Sequence, residues 1–458
     1  MFKTGKYEEF RKKYPIFYYH GFDVRKKENE IFITYHFEIE GLMRFNPTLE
    51  VPVANHNYDD TLLNKIIFSA GLAEIPSYWK ATCSPKIIIS CGKLEEEETL
   101  WVKKLLYNGL GEFFYVNKIK ANFKSFVSIE STGPTYDFKA DPRNYDGYLV
   151  AVGGGKDSLV SLEILKKVKN KRAFIINNRK ICFDGARIAG IKENDIINVT
   201  RLFDKNIIEL NKQGFLNGHT PLSSCIAFIS YLTAYVNGIK YVVLSNESSA
   251  NEASVKGTNI NHQYSKSFEF ENDFRSFTNK YLTSKIEYFS LLRPLNELQI
   301  MSIFTKHPKY FKHFISCNNG GKRQNIGRVD GWCLACPKCL FIYIIMSNFV
   351  DQKTMVSIFG ENLLDKKEML NYFLELLGKT ERKPFECVGT VQEVTYVVNN
   401  LIKKGGKLPY LLEYYKNNYD LSPIEDDSIL KNMNKENNVP KKLLKLVRET
   451  LLDDRKNS

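Results

Sequence analysis

The chain is 458 residues long, enough for two or three domains, and its 43% hydrophobic content is ample for buried cores. No apolar run reaches the length of a membrane span, and the start of the chain lacks the apolar core of a signal peptide, so a cytoplasmic protein without a membrane partner is expected. The formal charge is +13, but the basic residues are dispersed, and the densest runs, 166–172 and 441–448, read as solvated helix faces. Dispersed charge suits an anionic nucleotide substrate better than nucleic acid.

Residues 1–143 are rich in aromatics and read as a separate α+β module. Segment 31–39 alternates apolar and polar residues, as a half-buried strand does. Segment 44–53 reads as a second strand interrupted by a turn, and 60–70 and 96–106 read as helices. His20, His36 and His56 lie among aromatics and read as structural. Residues 134–145 carry Pro, Gly and Asp, a plausible boundary.

The central stretch runs Tyr148-Leu149-Val150-Ala151-Val152, then Gly153-Gly154-Gly155, then Lys156-Asp157-Ser158. It reads as a buried strand, a glycine turn and a helix start. Three glycines let the backbone curl close to a ligand. The free N–H groups and dipole of the helix start favour an anion, and Lys156 adds a point charge for phosphate. Asp157 beside a polyphosphate makes sense if it holds Mg²⁺ or orients the turn. The spacing is neither a Walker A loop nor a dinucleotide fingerprint.

Beyond it, strands at 172–177, 195–200 and 241–245 alternate with helices at 204–213 and 223–236, which predicts a parallel sheet covered on both faces. Ligands on such sheets bind at the carboxyl ends of the strands. That rule singles out the polar loops 245–251, with Glu247, and 259–267, with His262 and Lys266. Loop 218–225 holds His219 and Cys225, which could do proton chemistry, while Ser223 or Ser224 could cap the helix.

Nine cysteines include four spaced Cys317-x15-Cys333-x2-Cys336-x2-Cys339. Four thiolates can surround one Zn²⁺ at about 2.3 Å, so a structural zinc is expected, with an iron–sulfur cluster or a redox pair as the competing readings. The rest of the chain reads as a helical module over 346–458, with helices at 341–349, 363–377 and 392–402 and a charged one at the end. Between them, 381–390 (Glu-Arg-Lys-Pro-Phe-Glu-Cys-Val-Gly-Thr) either folds back on the active site or merely connects helices.

The glycine stretch resembles the Ser-Gly-Gly-x-Asp-Ser signature of PP-loop ATP pyrophosphatases, through Gly154, Gly155, Asp157 and Ser158, with Gly153 replacing the first serine. The resemblance implies an α/β fold with a parallel-sheet PP-loop core over 144–345. It also implies ATP and Mg²⁺ held by Gly153, Gly154, Gly155, Lys156, Asp157 and Ser158. Together with Asn217–Pro221, Ser245–Asn251, Asn261–Phe270, Ser316-Cys317-Asn318, Trp332 to Cys339 and Lys383–Thr390, the pattern resembles the bacterial UDP-N-acetylmuramoyl-L-alanyl-L-glutamate epimerases. That implies inversion of the terminal L-glutamate of a UDP-linked muropeptide precursor, with AMP and pyrophosphate formed. Lys156 and Asp157 would serve adenylation, and His219, Cys225, Glu247 and His262 are unranked candidates for the proton transfer. A 7-cyano-7-deazaguanine synthase-like ligase, a tRNA-modifying PP-loop enzyme and a nucleotide-binding sensor are the alternatives. The sequence carries no indication of oligomeric state.

Overall fold

A computed structural model describes residues 5–54, 56–317, 331–421 and 428–452. Asn318 of the quoted motif and residues 1–4 of the chain start lie outside them.

Among the described residues eleven strands form one sheet: β1 Ile16–Lys27, β2 Glu30–Ile39, β3 Met43–Phe45, β4 Thr48–Pro52, β5 Lys86–Ile89, β6 Ser128–Ser131, β7 Tyr148–Ala151, β8 Lys171–Ile176, β9 Ile196–Leu202, β10 Tyr241–Leu244 and β11 Glu287–Ser290. The order is β11-β10-β7-β8-β9-β4-β2-β1-β5-β6, with β3 on β2. From β11 to β9 all pairings are parallel. Alternate residues of these strands enter two different cores. Leu149, Phe174 and Val242 pack on one face with the helix Leu222–Val236, and Val150, Ala173 and Val243 on the other with Lys156–Ile164. Period-two alternation between two apolar layers is what makes these strands read as near-continuous apolar runs.

The N-terminal strands do not form a separate sheet. β4 pairs antiparallel with β9 (Thr48↔Leu202, Glu50↔Thr200), so the sheet runs across the expected boundary at 143/144. The helix Asp60–Trp79 reinforces the join. It is buried on all sides, as a helix apolar all round must be, and begins with Asp59 accepting from Leu62 N at 2.7 Å. Its Glu74 takes a two-pronged ion pair from Arg201 of β9, with both N···O distances 2.6 Å, and neither side chain is more than 6% exposed.

Several expected elements appear with shifted ends or in pieces. Segment 44–53 is β3 and β4, and 223–236 is the helix Leu222–Val236. Neither serine caps that helix; Ser224 Oγ donates to Pro221 O at 2.7 Å. Segment 363–377 is broken into two 3₁₀ turns and the helix Leu370–Leu376. The C-terminal helices pack on Pro337–Ser347 and share the core of the second sheet face. Among the described residues no helix is long and apolar enough to cross a membrane.

Candidate active site

Within the parallel unit β7 is the first strand, and its neighbours β8 and β10 carry the chain away in opposite directions. The crevice between β7 and β10 is therefore the point where strand order reverses, which is where open α/β sheets bind ligands. The glycine turn lies at the end of β7 and the Glu247 loop at the end of β10. Ser161 and Ser245 bridge the two by a 2.8 Å hydroxyl contact.

Gly154 has φ +83°, and a Cβ there would stand 2.7 Å from Ile181 Cγ2, so glycine is required. At Gly153 a Cβ would meet nothing within 4 Å, which leaves the turn open on that side. The helix starts at Lys156, not at Ser158, whose Oγ donates to Gly155 O at 3.0 Å. Ser316 has a buried hydroxyl with no partner among the described residues, and a Cβ added at Gly155 would stand 3.1 Å from it. Ile315 N donates to Gly154 O at 2.9 Å, which straps that segment to the turn.

Lys156 is fully buried, and its Nζ pairs with both Asp157 and Glu297. Lys338 stands 3.7 Å from the other oxygen of Glu297. Burial pushes the Asp157 carboxyl up, but Lys156, Lys338 and Lys266 outweigh it and hold the group below its usual value. Glu247 goes the other way: burial, then Glu297 and Asp157, raise it to about 7. Three carboxylates among three lysines suit a Mg²⁺–polyphosphate group, with oxygens for the metal and ammonium groups for the phosphates.

A second cluster lies beside the first. Glu112, on the short helix Gly111–Val116, is bonded to His262 Nδ1 and stands 3.8 Å from His219 Nδ1. The two imidazoles are 4.2 Å apart. Burial, His262 and nearby lysines push His219 down to about 3. Burial works against His262 as well, but bonds to Cys387 and Glu112 raise it to about 9. One ring is thus a neutral acceptor and the other a cationic donor.

The structure joins Lys156, Asp157, Glu247, His219 and His262 through this network and leaves Cys225 out. Cys225 is buried under the N-terminal strands, donates to Ala73 O at 3.1 Å, and burial raises its thiol far above the usual range. It belongs to the core around Glu74 and Arg201.

Cys387 is among the site residues that the sequence did not single out, with Glu112, Glu297, Lys338 and Arg293. Segment 381–390 does fold back. Lys383 N donates to Ser254 O at 2.8 Å, Lys256 N to Glu381 O at 3.2 Å, and Lys383 Nζ to Gly389 O at 2.7 Å. Lys338 Nζ donates to Cys387 O, and Lys266 Nζ lies 3.1 Å from Cys387 Sγ. The fully buried Arg293 fixes the opposite wall by donating to Glu247 O and Lys266 O, both at 2.6 Å, while pairing with Glu271 at 3.2 Å. A cysteine flanked in space by Lys266, Lys338 and His262 left no local pattern in the sequence.

The sulfur atoms of Cys317, Cys333, Cys336 and Cys339 lie within 4.8 Å of one another, with Cys336 and Cys339 Sγ 3.5 Å apart. Cys336 Sγ also accepts from Cys339 N at 3.4 Å, at the start of Pro337–Ser347. Four converging thiols fit a closed tetrahedral zinc site. It would tie the strap on the glycine turn to the helix that carries Lys338.

A parallel α/β unit with an acid–base network at its switch point is the architecture of an α/β enzyme. Two family profiles match the chain: the MurL N-terminal domain over residues 8–291 and the MurL C-terminal domain over 313–408. The chain belongs to the MurL family. It is 35% identical to the UDP-N-acetyl-alpha-D-muramoyl-L-alanyl-L-glutamate epimerase of Xanthomonas oryzae pv. oryzae, over 69% of this chain and 70% of the relative. It is 32% identical to the epimerase of that name from Micromonospora sp., over 80% and 81%, and 31% identical to that of Salinispora tropica, over 80% of each. No solved structure matches.

Proposed function

We propose that the chain epimerises the terminal L-glutamate of UDP-N-acetylmuramoyl-L-alanyl-L-glutamate to D-glutamate, consuming ATP through a PP-loop and releasing AMP and pyrophosphate. The single observation that carries the reading is the glycine turn at the β7/β10 switch point, beside a carboxylate–lysine cluster, in a chain of the MurL family.

The chemistry accounts for both clusters. An α-proton next to a carboxylate is hard to remove, because the carbanion would form beside a negative charge. Adenylation cancels that charge and lets fixed donors hold the enolate. Gly153, Gly154 and the first turn of the helix at Lys156 would cradle the polyphosphate with their N–H groups. Asp157, Glu297 and Glu247 would hold Mg²⁺, which neutralises developing phosphate charge when bound. Lys156 would exchange carboxylate contacts for phosphate, and Lys338 would stay on Glu297. The cluster of Glu112, His219, His262 and Cys387 would handle the proton.

The test is incubation of the purified chain with ATP, Mg²⁺ and the precursor, followed by chiral analysis of the released glutamate. D-glutamate with AMP and pyrophosphate in step supports the reading. ADP in place of AMP, or pyrophosphate release that needs ammonia and a deazaguanine carboxylate, overturns it.

A further inference from the structure

We propose that Cys387 is the base that removes the glutamate α-proton, held as a thiolate between Lys266 and His262; this rests on the epimerase reading above.

Lys266 Nζ lies 3.1 Å from the sulfur, and His262 hydrogen-bonds it as well. Glu112 takes the Nδ1 proton of His262, so the order carboxylate, imidazole, sulfur is that of an activated nucleophile or base. Cys387 is partly exposed, unlike the buried Cys225, so a substrate can reach it. Next to it, the 5% exposed Gln263 spends Nε2 on Val388 O at 3.3 Å, and its Oε1 has no partner among the described residues. A buried amide oxygen without a donor calls for one, and an amide N–H of the peptide substrate would supply it.

The charged groups facing the sulfur come from several elements. Burial raises the thiol, but Lys266, His262 and Lys338 outweigh it and bring Cys387 down to about 5, while burial and the sulfur together raise the neighbouring Glu386. The thiolate is thus the resting form at neutral pH.

The step balances without an oxidant. The sulfur lone pair takes the Cα proton, and the C–H electron pair moves into the Cα–C bond as the carbonyl becomes an enolate oxygen. A protonated acid returns a proton to the opposite face. The thiol and the acid then reset by exchange with water.

The test compares wild type, Cys387→Ser and Cys387→Ala in D₂O. Pyrophosphate release and deuterium at the glutamate α-carbon are measured in the same samples. The proposal expects exchange to fall at least about 100-fold further than pyrophosphate release, by loss of a general base. Equal falls in both, or exchange that survives, would overturn it, as would a glutamyl thioester on Cys387 after acid quench. A wild type that makes no pyrophosphate on the precursor sinks the epimerase reading instead. A second measurement needs no substrate: iodoacetamide should alkylate Cys387 at pH 6, and His262→Gln should slow that reaction. Alkylation only near the pH of an ordinary thiol would remove the resting thiolate, and the proposal with it.

Discussion

Lys266 and Cys387 are 121 residues apart in the chain, yet Nζ and Sγ meet at 3.1 Å. The contact closes segment 381–390 over the strand-end loops and joins the C-terminal part of the chain to the site. Cys387 is the largest influence on Lys266, and it raises the ammonium well above its usual value. Lys266→Met keeps most of the side chain's bulk and removes the charge. The pH at which Cys387 becomes alkylated should then climb from near 5 toward the 9.0 of an unperturbed thiol. Mass-spectrometric alkylation profiles of the two proteins check this.

Asp157→Ala removes a carboxylate that Lys156 needs and that the proposed Mg²⁺ would use. Pyrophosphate release should fall by at least about 100-fold, the scale of losing one group that stabilises transferring charge. Asp157 is one of two carboxylates paired with the fully buried Lys156, so the thermal midpoint should also fall, with Glu297 left to hold the ammonium. Ser158→Ala should be milder, because its hydroxyl is spent on Gly155 O. Steady-state pyrophosphate assays on the two variants separate the effects.

What the sequence disclosed follows from how local each signal is. The glycine turn, β7 and the cysteine spacing are contiguous patterns, and they appear where expected. The pairing of β4 with β9 could not be read, because antiparallel contact between residues 48 and 202 leaves no spacing rule. The same holds for the network around Cys387. Glu112, His262 and Cys387 come from three distant segments, and only packing brings them together. Cys225 looked eligible beside His219 in sequence, but the helix starting at Leu222 turns it into the core.

Elemental analysis should find about one zinc per chain at the four-cysteine cluster. A closed site has no open position for substrate, so its loss should act on stability before chemistry. Cys336→Ser removes one ligand and the sulfur that accepts from Cys339 N. The variant should lose on the order of a few kcal/mol, since metal binding is folding free energy in such sites. Calorimetry with and without a chelator reads it. Iron with labile sulfide would replace zinc by a cluster.

Glu247 gives a pH-dependent term in stability. Burial and its carboxylate neighbours raise it from 4.5 to about 7, so the folded chain holds this proton more tightly than the unfolded one. Its contribution is complete below about 4.5 and is lost as the pH rises through about 7. The size is at most about 3 kcal/mol at 1.36 kcal/mol per unit. Glu247→Gln cannot titrate. The difference in unfolding free energy between wild type and variant should therefore tilt against the wild type between these pH values and flatten outside them. A difference independent of pH would show that Glu247 titrates normally.

Arg293 ties stability to site geometry. Its guanidinium is fully buried and does three jobs at once: it pairs with Glu271 and donates to the carbonyls of Glu247 and Lys266. Those two carbonyls belong to the loops that present Glu247 and Lys266 to the site. Arg293→Met would leave Glu271 buried with, among the described residues, only Asn438 donating to its carboxylate, at 3.0 Å, and should cost about 3–5 kcal/mol, as breaking a buried pair does. Arg293→Lys is the more informative change. It restores a positive charge for Glu271 but cannot fork to two carbonyls and a carboxylate together. Stability should recover in part, while epimer formation stays low because the Glu247 and Lys266 loops are no longer clamped. Unfolding curves and turnover measured on both variants decide it: full turnover in Arg293→Lys would show that Arg293 serves the fold alone.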